Sequence, residues 1–484
     1  MQPVLTPKEM AEADRLAIAS GTDQTSLIDR AGRALAIATR QLLGGVYGRR
    51  AVVFCGNGKN GADGRVAAAV LSAWGVRVAV VEVAIGLDES AVARQVARAD
   101  VLVDAMFGTG LRSALAGVAK WCAELVNACA IPVIAADIPS GVDGATGKVD
   151  GVAVSANVTC CFQSWKRGLL FEPGRSLAGK VSVVDLGIPV TSDTLVATED
   201  DIQLPPRGAD DHKWSRSVFV VGGSAGMTGA PILSARAAAR CGAGVVVAAL
   251  PGKDDSDESV LEVITRGYAC MPDGSYCDDF ASRIVADASR FSAVVVGPGI
   301  GRSVGARAVV ARLIAEAPQP IVIDADGLNA LAEDATALRD RQGAGLPTAV
   351  LTPHAGEFEL LAGRPVGDDR IAAARDLSAA LGVVVLLKGP GTVVAQPDGS
   401  VIIVATGSAK LATAGTGDVL AGVIGALLSA GMGPFEAAWS AAIVHAKAAV
   451  LSPFGFGTIA SDLFEGLALA CSQFSDSSNQ LETE

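Results

Sequence analysis

Asp418 stands in Ala414-Gly415-Thr416-Gly417-Asp418, directly ahead of the apolar run Val419 to Leu428. Gly415 and Gly417 allow backbone N–H groups to converge on an anion. The apolar run predicts a buried helix whose N-terminus opens at that anion. A lone carboxylate there repels a bound phosphate unless the chemistry needs an acid or base beside it. The pattern suits an enzyme working on a hydroxyl next to a nucleotide phosphate.

A second constellation lies near the other end of the chain. Gly56, Gly58 and Gly61 follow an apolar run and precede the alanine-rich stretch Arg65–Leu71, read as a helix, and Glu82 ends the next apolar run. Spacing alone fits a dinucleotide fingerprint with a ribose-binding acid. Asn57, Asn60 and Asp63 make the loop too polar for a simple pyrophosphate turn. Asp104 and Asp137 also end β-type runs, and in an open α/β sheet such ends line one crevice. Asn60, Asp104 and Ser140 could offer hard oxygens to one cation, and Asp137 could face a ligand as acid or base. The bland alternative is that both aspartates cap following helices. For Lys166 it is a solvated loop lysine.

These residues need a scaffold, and the hydrophobic rhythm supplies one. Two helices fill the first forty-odd residues, the second over 26–43. Short β-branched runs then alternate with alanine-rich stretches: Ala51–Cys55, Val76–Val81, Val101–Asp104, Val133–Asp137 and Val181–Asp185. That alternation predicts βαβ units and a mainly parallel sheet. The stretch Thr191 to Asp211 turns polar and contains Pro205-Pro206, which marks a linker. The rhythm restarts with runs at 218–221, 245–248, 293–296, 321–324, 349–351, 383–387, 392–395 and 401–404. The fold expected is two three-layer α/β domains, an N-terminal Rossmann-like one over 1–205 and a larger one over 206–471. A polar tail, 472–484, is expected to be disordered.

Composition narrows the class. At 484 residues the chain exceeds one ordinary core. A net charge of −12 offers no basic stripe for nucleic acid. The nine cysteines form no Cys-x-x-Cys pair, so neither zinc nor a disulfide framework is expected, and a reducing cytoplasm is. No apolar signal core opens the chain, and the uncharged stretch 419–435 reads as a core helix rather than a membrane span.

The 56–64 loop, Asp104–Gly110, Asp137–Gly141 and Lys166-Arg167-Gly168 together resemble the NAD(P)H-hydrate epimerase domain. Where that family's loop reads Asn-Asn-Gly-Gly-Asp, this chain has Lys59-Asn60-Gly61-Ala62-Asp63. The resemblance implies a potassium ion on Asn60, Asp104 and Ser140. It implies ligand contacts from Lys59, Asn60, Gly61, Ala62 and Asp63, from Gly108, Thr109, Gly110, Leu111, Arg112, Ser113 and Ala114, and from Asp137. Asp137 and Lys166 are the acid/base candidates.

In the second half, Gly222-Gly223-Ser224 with Met227-Thr228-Gly229-Ala230, Gly297-Pro298-Gly299-Ile300-Gly301, Asp324–Asn329, Thr352-Pro353-His354, Lys388-Gly389-Pro390-Gly391-Thr392 and the Asp418 loop follow in order. The series resembles the ribokinase-like superfamily, and within it the NAD(P)H-hydrate dehydratase branch. Trp214 stands where a glycine often follows the His212-Lys213 pair. The resemblance implies that Asp418 acts as base, and that Ala230, Gly299, Gly301 and His354 contact the hydrate. Of ADP or ATP, Lys388 to Thr392 would cradle the adenosine side, while Gly415 and Gly417 with magnesium would carry the charge of the transferring phosphoryl group. His445, in an alanine-rich run, is read as a core histidine.

The function so implied is repair of hydrated NADH and NADPH, one domain epimerising the hydrate and the other dehydrating its S form. No nucleic-acid or membrane partner is expected, and a homo-oligomer is. Three rivals stay open: a ribokinase-like small-molecule kinase with a non-catalytic N-terminal binding domain, a scaffold in the N-terminal half, and a dehydrogenase built on Gly56–Gly61.

Overall fold

Parallel strands need crossover connections, and the alanine-rich stretches supply them as helices. In the computed structural model, which describes residues 1–252, 261–277 and 281–476, the chain divides into two compact units, Gln2–Val196 and Ala197–Glu484.

The first unit holds a parallel sheet in the order Arg77–Glu82, Arg50–Cys55, Val101–Ala105, Val133–Ala136, Val158–Phe162 and Lys180–Val184. All five strands expected here are present, and Val158–Phe162 is an addition whose Cys160-Cys161 pair hides its β character. Chain order reverses between Arg50–Cys55 and Val101–Ala105. The crevice at their carboxyl ends is therefore the switch point where ligands bind in such sheets. Both N-terminal helices form. Thr6 and Glu9 close a capping box on Pro7–Ala19, and Asp23 caps Gln24–Leu43, which ends on left-handed Gly44.

The helix after the glycine loop starts at Lys59 and runs to Ala73, so Asn60, Gly61, Asp63 and Gly64 sit in its first turns rather than in a loop before Arg65. Close packing explains why glycine is tolerated there. A Cβ on Gly61 would lie 1.8 Å from the Gly56 carbonyl oxygen, and one on Gly64 would lie 2.6 Å from Ala105 Cβ. Glu82 is bonded to Arg65 Nε at 2.9 Å. Its carboxylate is thus occupied from its own unit, which removes the ribose-binding acid from the dehydrogenase reading.

The second unit orders its strands Ile264–Tyr268, Val245–Pro251, Ser217–Val221, Ala293–Val296, Ile321–Ile323, Val350–Leu351 and Val384–Leu387, all parallel, then antiparallel Thr392–Ala395 and Val401–Val404. Chain order reverses between Ser217–Val221 and Ala293–Val296. The apolar run after Asp418 is the helix Thr416–Ser429, buried along nearly its whole length.

Two expectations fail at the edges of the units. Within the supposed linker, Thr194–Ala197 is a strand pairing antiparallel with Gln2–Leu5, because Leu195 and Val196 supply β-branched and apolar side chains. The C-terminal helix Leu463–Asp476 runs into the supposed tail and buries Phe474, and the rest of that tail lies outside the described residues.

Candidate active sites

At the first switch point a cavity of about 520 Å³ opens. Lys59, Asn60, Asp63, Gly108, Thr109, Gly110, Leu111, Asp137 and Lys166 line it as expected. Gly61 does not, since its Cα is pressed against Gly56. Ala62 is absent from the wall, and Arg112, Ser113 and Ala114 are exposed beyond the rim. Met10, Asp14, Leu27 and Ile28 of the two N-terminal helices complete the wall, with Gln163, Leu186 and Ile188. None of these carried a motif; only the folded chain brings them here.

Asp137 caps no helix. Its φ of 65° is a left-handed conformation rarely adopted by a side-chain-bearing residue. That backbone aims Oδ1 at the Phe162 N–H, 3.1 Å away, and at Lys166 Nζ, 2.5 Å away. Lys166 is 1% exposed, not a solvated loop lysine, and its ammonium also donates to the Phe162 carbonyl. Burial works against the Lys166 charge, but Asp137 and then Cys161 oppose it, and the net shift is upward. Asp63 faces the same cavity, its carboxyl pushed up to about 8 by burial and then by the Asp137 charge, with Lys59 opposing and Asp14 adding to the rise. The cavity thus pairs an ion-paired carboxylate with a carboxyl that burial shifts toward its protonated form.

Beneath it, Asp104 accepts from the Ser140 hydroxyl at 2.6 Å, from the Ser140 N–H at 2.8 Å and from the Met106 N–H at 3.2 Å. The following helix does not use it as a cap. Burial pushes Asp104 up to about 6 despite those donors. Ser140 Oγ also accepts the Phe107 N–H, and the Asn60 amide lies against the next residue, Gly108. Asn60 Nδ2 is buried with no partner among the described residues. The Asp104 carboxylate and the Ser140 hydroxyl are hard oxygens that fit an alkali cation, and Asn60 would add its Oδ1 only, since its unpartnered Nδ2 is a donor and no cation ligand.

In the second unit, the strand ends gather the other residues. A Cβ on Gly222 would lie 2.2 Å from the Pro298 carbonyl oxygen, so the two glycine loops touch at the switch point. Ser224 Oγ donates to the Gly299 carbonyl at 2.9 Å, and a Cβ on Gly299 would sit 3.2 Å from Ala230 Cβ. Ala230, Gly299 and Gly301 are therefore neighbours.

Asp418 lies in the first turn of Thr416–Ser429, where N–H groups lack intrahelical acceptors. Gly415 precedes it with φ 89°. Burial, then the Asp324 charge, pushes Asp418 up to about 7, with Lys388 opposing. Lys388 is no solvated hairpin lysine. Its Nζ lies 2.8 Å from Asp324 Oδ1, 3.7 Å from Glu357 Oε2 and 3.4 Å from where a Gly417 Cβ would be. The Thr352 hydroxyl fixes Asp324 at 2.6 Å. Asp324 and Glu357 sat in motifs read from sequence without a role of their own. Gly389 and Pro390 are exposed past Lys388, and Thr392 begins the next strand.

His354 is an N-cap. Its Nδ1 accepts the Gly356 and Glu357 N–H groups at 3.0 and 3.2 Å, and its Nε2 lies 3.5 Å from Glu357 Oε1, so a ligand would share Nε2 with that carboxylate. His445 is buried, as its apolar run suggests, yet its ring meets the Thr416 backbone and burial pushes it down to about 4.

Among the described residues, no helix is long and apolar enough to cross a membrane, and no group of three His, Cys, Asp or Glu side chains is placed to hold a metal by itself.

A family model described as NAD(P)H-hydrate dehydratase matches residues 218–465, and one described as YjeF-related protein N-terminus matches residues 24–96 and 84–168. The bifunctional NAD(P)H-hydrate repair enzyme Nnr of Moorella thermoacetica is 35% identical over 492 residues, covering 92% of this chain and 91% of its own. The protein of that name from Mycobacterium tuberculosis is 38% identical over 414 residues, covering 82% of each. A crystal structure of ADP/ATP-dependent NAD(P)H-hydrate dehydratase from Bacillus subtilis aligns with a TM-score of 0.46 and 27% identity, over 58% of this chain and 98% of that one. By its length of match to these relatives and by both family models, the chain belongs to the bifunctional NAD(P)H-hydrate repair enzymes.

Proposed function

We propose that the chain returns hydrated NADH and NADPH to use, with residues 1–205 interconverting the R and S hydrates and residues 206–471 dehydrating the S form with ADP or ATP. The observation that carries the second activity is Asp418, a carboxyl held up to about 7 in the first turn of a buried helix beside Lys388.

Hydroxide is a poor leaving group, and phosphorylation makes the ring hydroxyl a good one. Asp418 takes the hydroxyl proton as the oxygen attacks the terminal phosphorus. The first-turn N–H groups around Gly417 face the charge of the transferring group, and Lys388 adds a cation there. The nicotinamide nitrogen lone pair then expels phosphate, and loss of the neighbouring ring proton restores the double bond. Ala230, Gly299, Gly301 and His354, through Nε2, hold the hydrate. Lys388 to Thr392, with Gly415 and Gly417, hold the nucleotide. Magnesium, when bound with the nucleotide, would neutralise phosphate charge; Asp324 is the carboxylate that would hold it, through Oδ2, since Oδ1 already takes Thr352 and Lys388.

In the first unit Asp137 exchanges a proton with the hydrate while Lys166 keeps its charge in place, and Asp63 keeps a proton at hand. Lys59, Asn60, Gly108, Thr109, Gly110 and Leu111 orient the ligand. A potassium ion would balance the buried Asp104 charge, held by Asn60, Asp104 and Ser140. Spontaneous hydration yields both epimers and only S is dehydrated, so an epimerase on the same chain drains the whole pool. The reading includes a cytoplasmic homo-oligomer, and nine free cysteines suit a reducing compartment.

The test is recovery of the near-ultraviolet absorbance of reduced nicotinamide from chemically prepared NADH hydrate, with magnesium and ADP or ATP. Full recovery from an epimer mixture supports both activities. Recovery that stops at the S fraction removes the epimerase, and a stable phosphorylated product with no recovery favours a small-molecule kinase.

A further inference from the structure

Arg370 is a largely buried cation with no carboxylate partner among the described residues. It opens the helix Arg370–Leu381, which leads into Val384–Leu387. That strand is parallel to Val350–Leu351, so the helix N-terminus lies at the carboxyl edge of the sheet, the edge that carries Asp324, Glu357, Lys388 and Asp418.

The side chain folds onto the turn after that strand. Nη2 donates to the Lys388 carbonyl at 3.1 Å and to the Leu387 carbonyl at 3.4 Å. A Cβ on Gly389 would lie 2.8 Å from Nη2 and 3.4 Å from Nη1. Gly389 is exposed, and its missing Cβ leaves Nη1 open across the turn. Nε is buried with no partner, and the hydrogen bonds the guanidinium makes among the described residues all come from Nη2.

A guanidinium does not escape burial by losing its proton, so a site that desolvates it without an anion is energetically incomplete. Stapling the Leu387 and Lys388 carbonyls through one nitrogen needs only a neutral donor such as glutamine. Retaining a full charge beside an exposed glycine turn points to an anionic ligand, and the planar fork suits a phosphate.

We propose that Arg370 is a phosphate-contacting residue of the nucleotide site, taking a phosphate oxygen of ADP or ATP on Nη1 across Gly389 while Nη2 fixes the Lys388 carbonyl. The inference rests on the nucleotide reading of Lys388 to Thr392 and adds a residue outside that segment.

Titration calorimetry of the full chain with ADP, ATP and adenosine, on wild type, Arg370→Gln and Arg370→Lys, decides it. Glutamine keeps a donor for the Lys388 carbonyl and removes the charge. Loss of one charge-assisted contact should weaken ADP and ATP by about tenfold or more and leave adenosine unchanged. Lysine should not rescue, because a point charge cannot serve both the carbonyl and the phosphate. In steady state, KM for the nucleotide should rise while KM for the hydrate stays put. ADP affinity within twofold of wild type in Arg370→Gln overturns the proposal. So does a parallel loss of ADP and adenosine, which marks Arg370 as a turn staple only. A wild-type chain that binds neither nucleotide overturns the underlying reading, and this inference with it.

Discussion

Lys166 Nζ lies 2.5 Å from Asp137 Oδ1, and the lysine is 1% exposed on the wall of the first unit's cavity. The contact joins two segments that sit apart in sequence, because Asp137 adopts φ 65° and turns its carboxylate toward the strand Val158–Phe162. Removing the lysine strands a buried carboxylate. Lys166→Met should cost about 3–5 kcal/mol of stability, the usual penalty for breaking a buried pair. It should also stop epimerisation while S-hydrate dehydration proceeds. Denaturant unfolding and an epimer-resolved assay check both, and an unchanged epimerisation rate would remove Lys166 from the chemistry.

Asp418→Asn should lower dehydration by about 10²–10⁴-fold, the usual weight of a general base, and leave epimerisation intact. The residue's pH behaviour follows from its shift from 3.8 to about 7. As base it must be ionised, so dehydration should rise with pH up to about 7 and level off above. For stability the sign is opposite. The folded state binds this proton more tightly than the unfolded chain, so the contribution is complete below the ordinary value and is lost as pH climbs to about 7. Asn, which cannot ionise, should therefore gain on wild type through that window in denaturant melts.

Potassium chloride should raise the melting temperature above that in an equal concentration of N-methylglucamine chloride. Asp104→Asn should cancel the difference, because it removes the one charge in the Asn60, Asp104, Ser140 set. Equal melting in the two salts for wild type would count against a potassium site there.

Gly422 sits one turn beyond Asp418 on the same helix, and a Cβ there would lie 2.0 Å from the Ser234 carbonyl oxygen. Ser234 Oγ in turn donates to the Asp418 carbonyl at 2.7 Å. Gly422→Ala should cost about 1–3 kcal/mol by overpacking and slow dehydration by shifting the Asp418 turn. Gly343→Ala is the control, since a Cβ at that helix end meets nothing within 4 Å. Equal melting temperatures for the two variants would show that the helices part without strain.

Local chemistry made much of this protein legible in one dimension. Runs such as Ala293–Val296 and Val401–Val404 are β-branched and bounded by turn residues, and their strands have those bounds. The Asp418 loop declared its helix, because glycines ahead of an apolar run admit few other structures. What stayed hidden depended on partners distant in sequence. Glu82 looked like a ribose-binding acid until Arg65 claimed it, and whether Lys166 was an acid/base candidate or a solvated lysine stayed open until its ammonium was seen buried against Asp137. His354 was legible as a ligand candidate, but that its Nδ1 also caps the next helix is decided only by backbone geometry. Met10 and Gln163 carry no motif and became cavity walls through packing alone. Sequence determined which groups were available and where the chain could turn. Burial and charge pairing, which set the protonation of Asp63, Lys166 and Asp418, exist only once segments far apart in the chain have displaced the water between them.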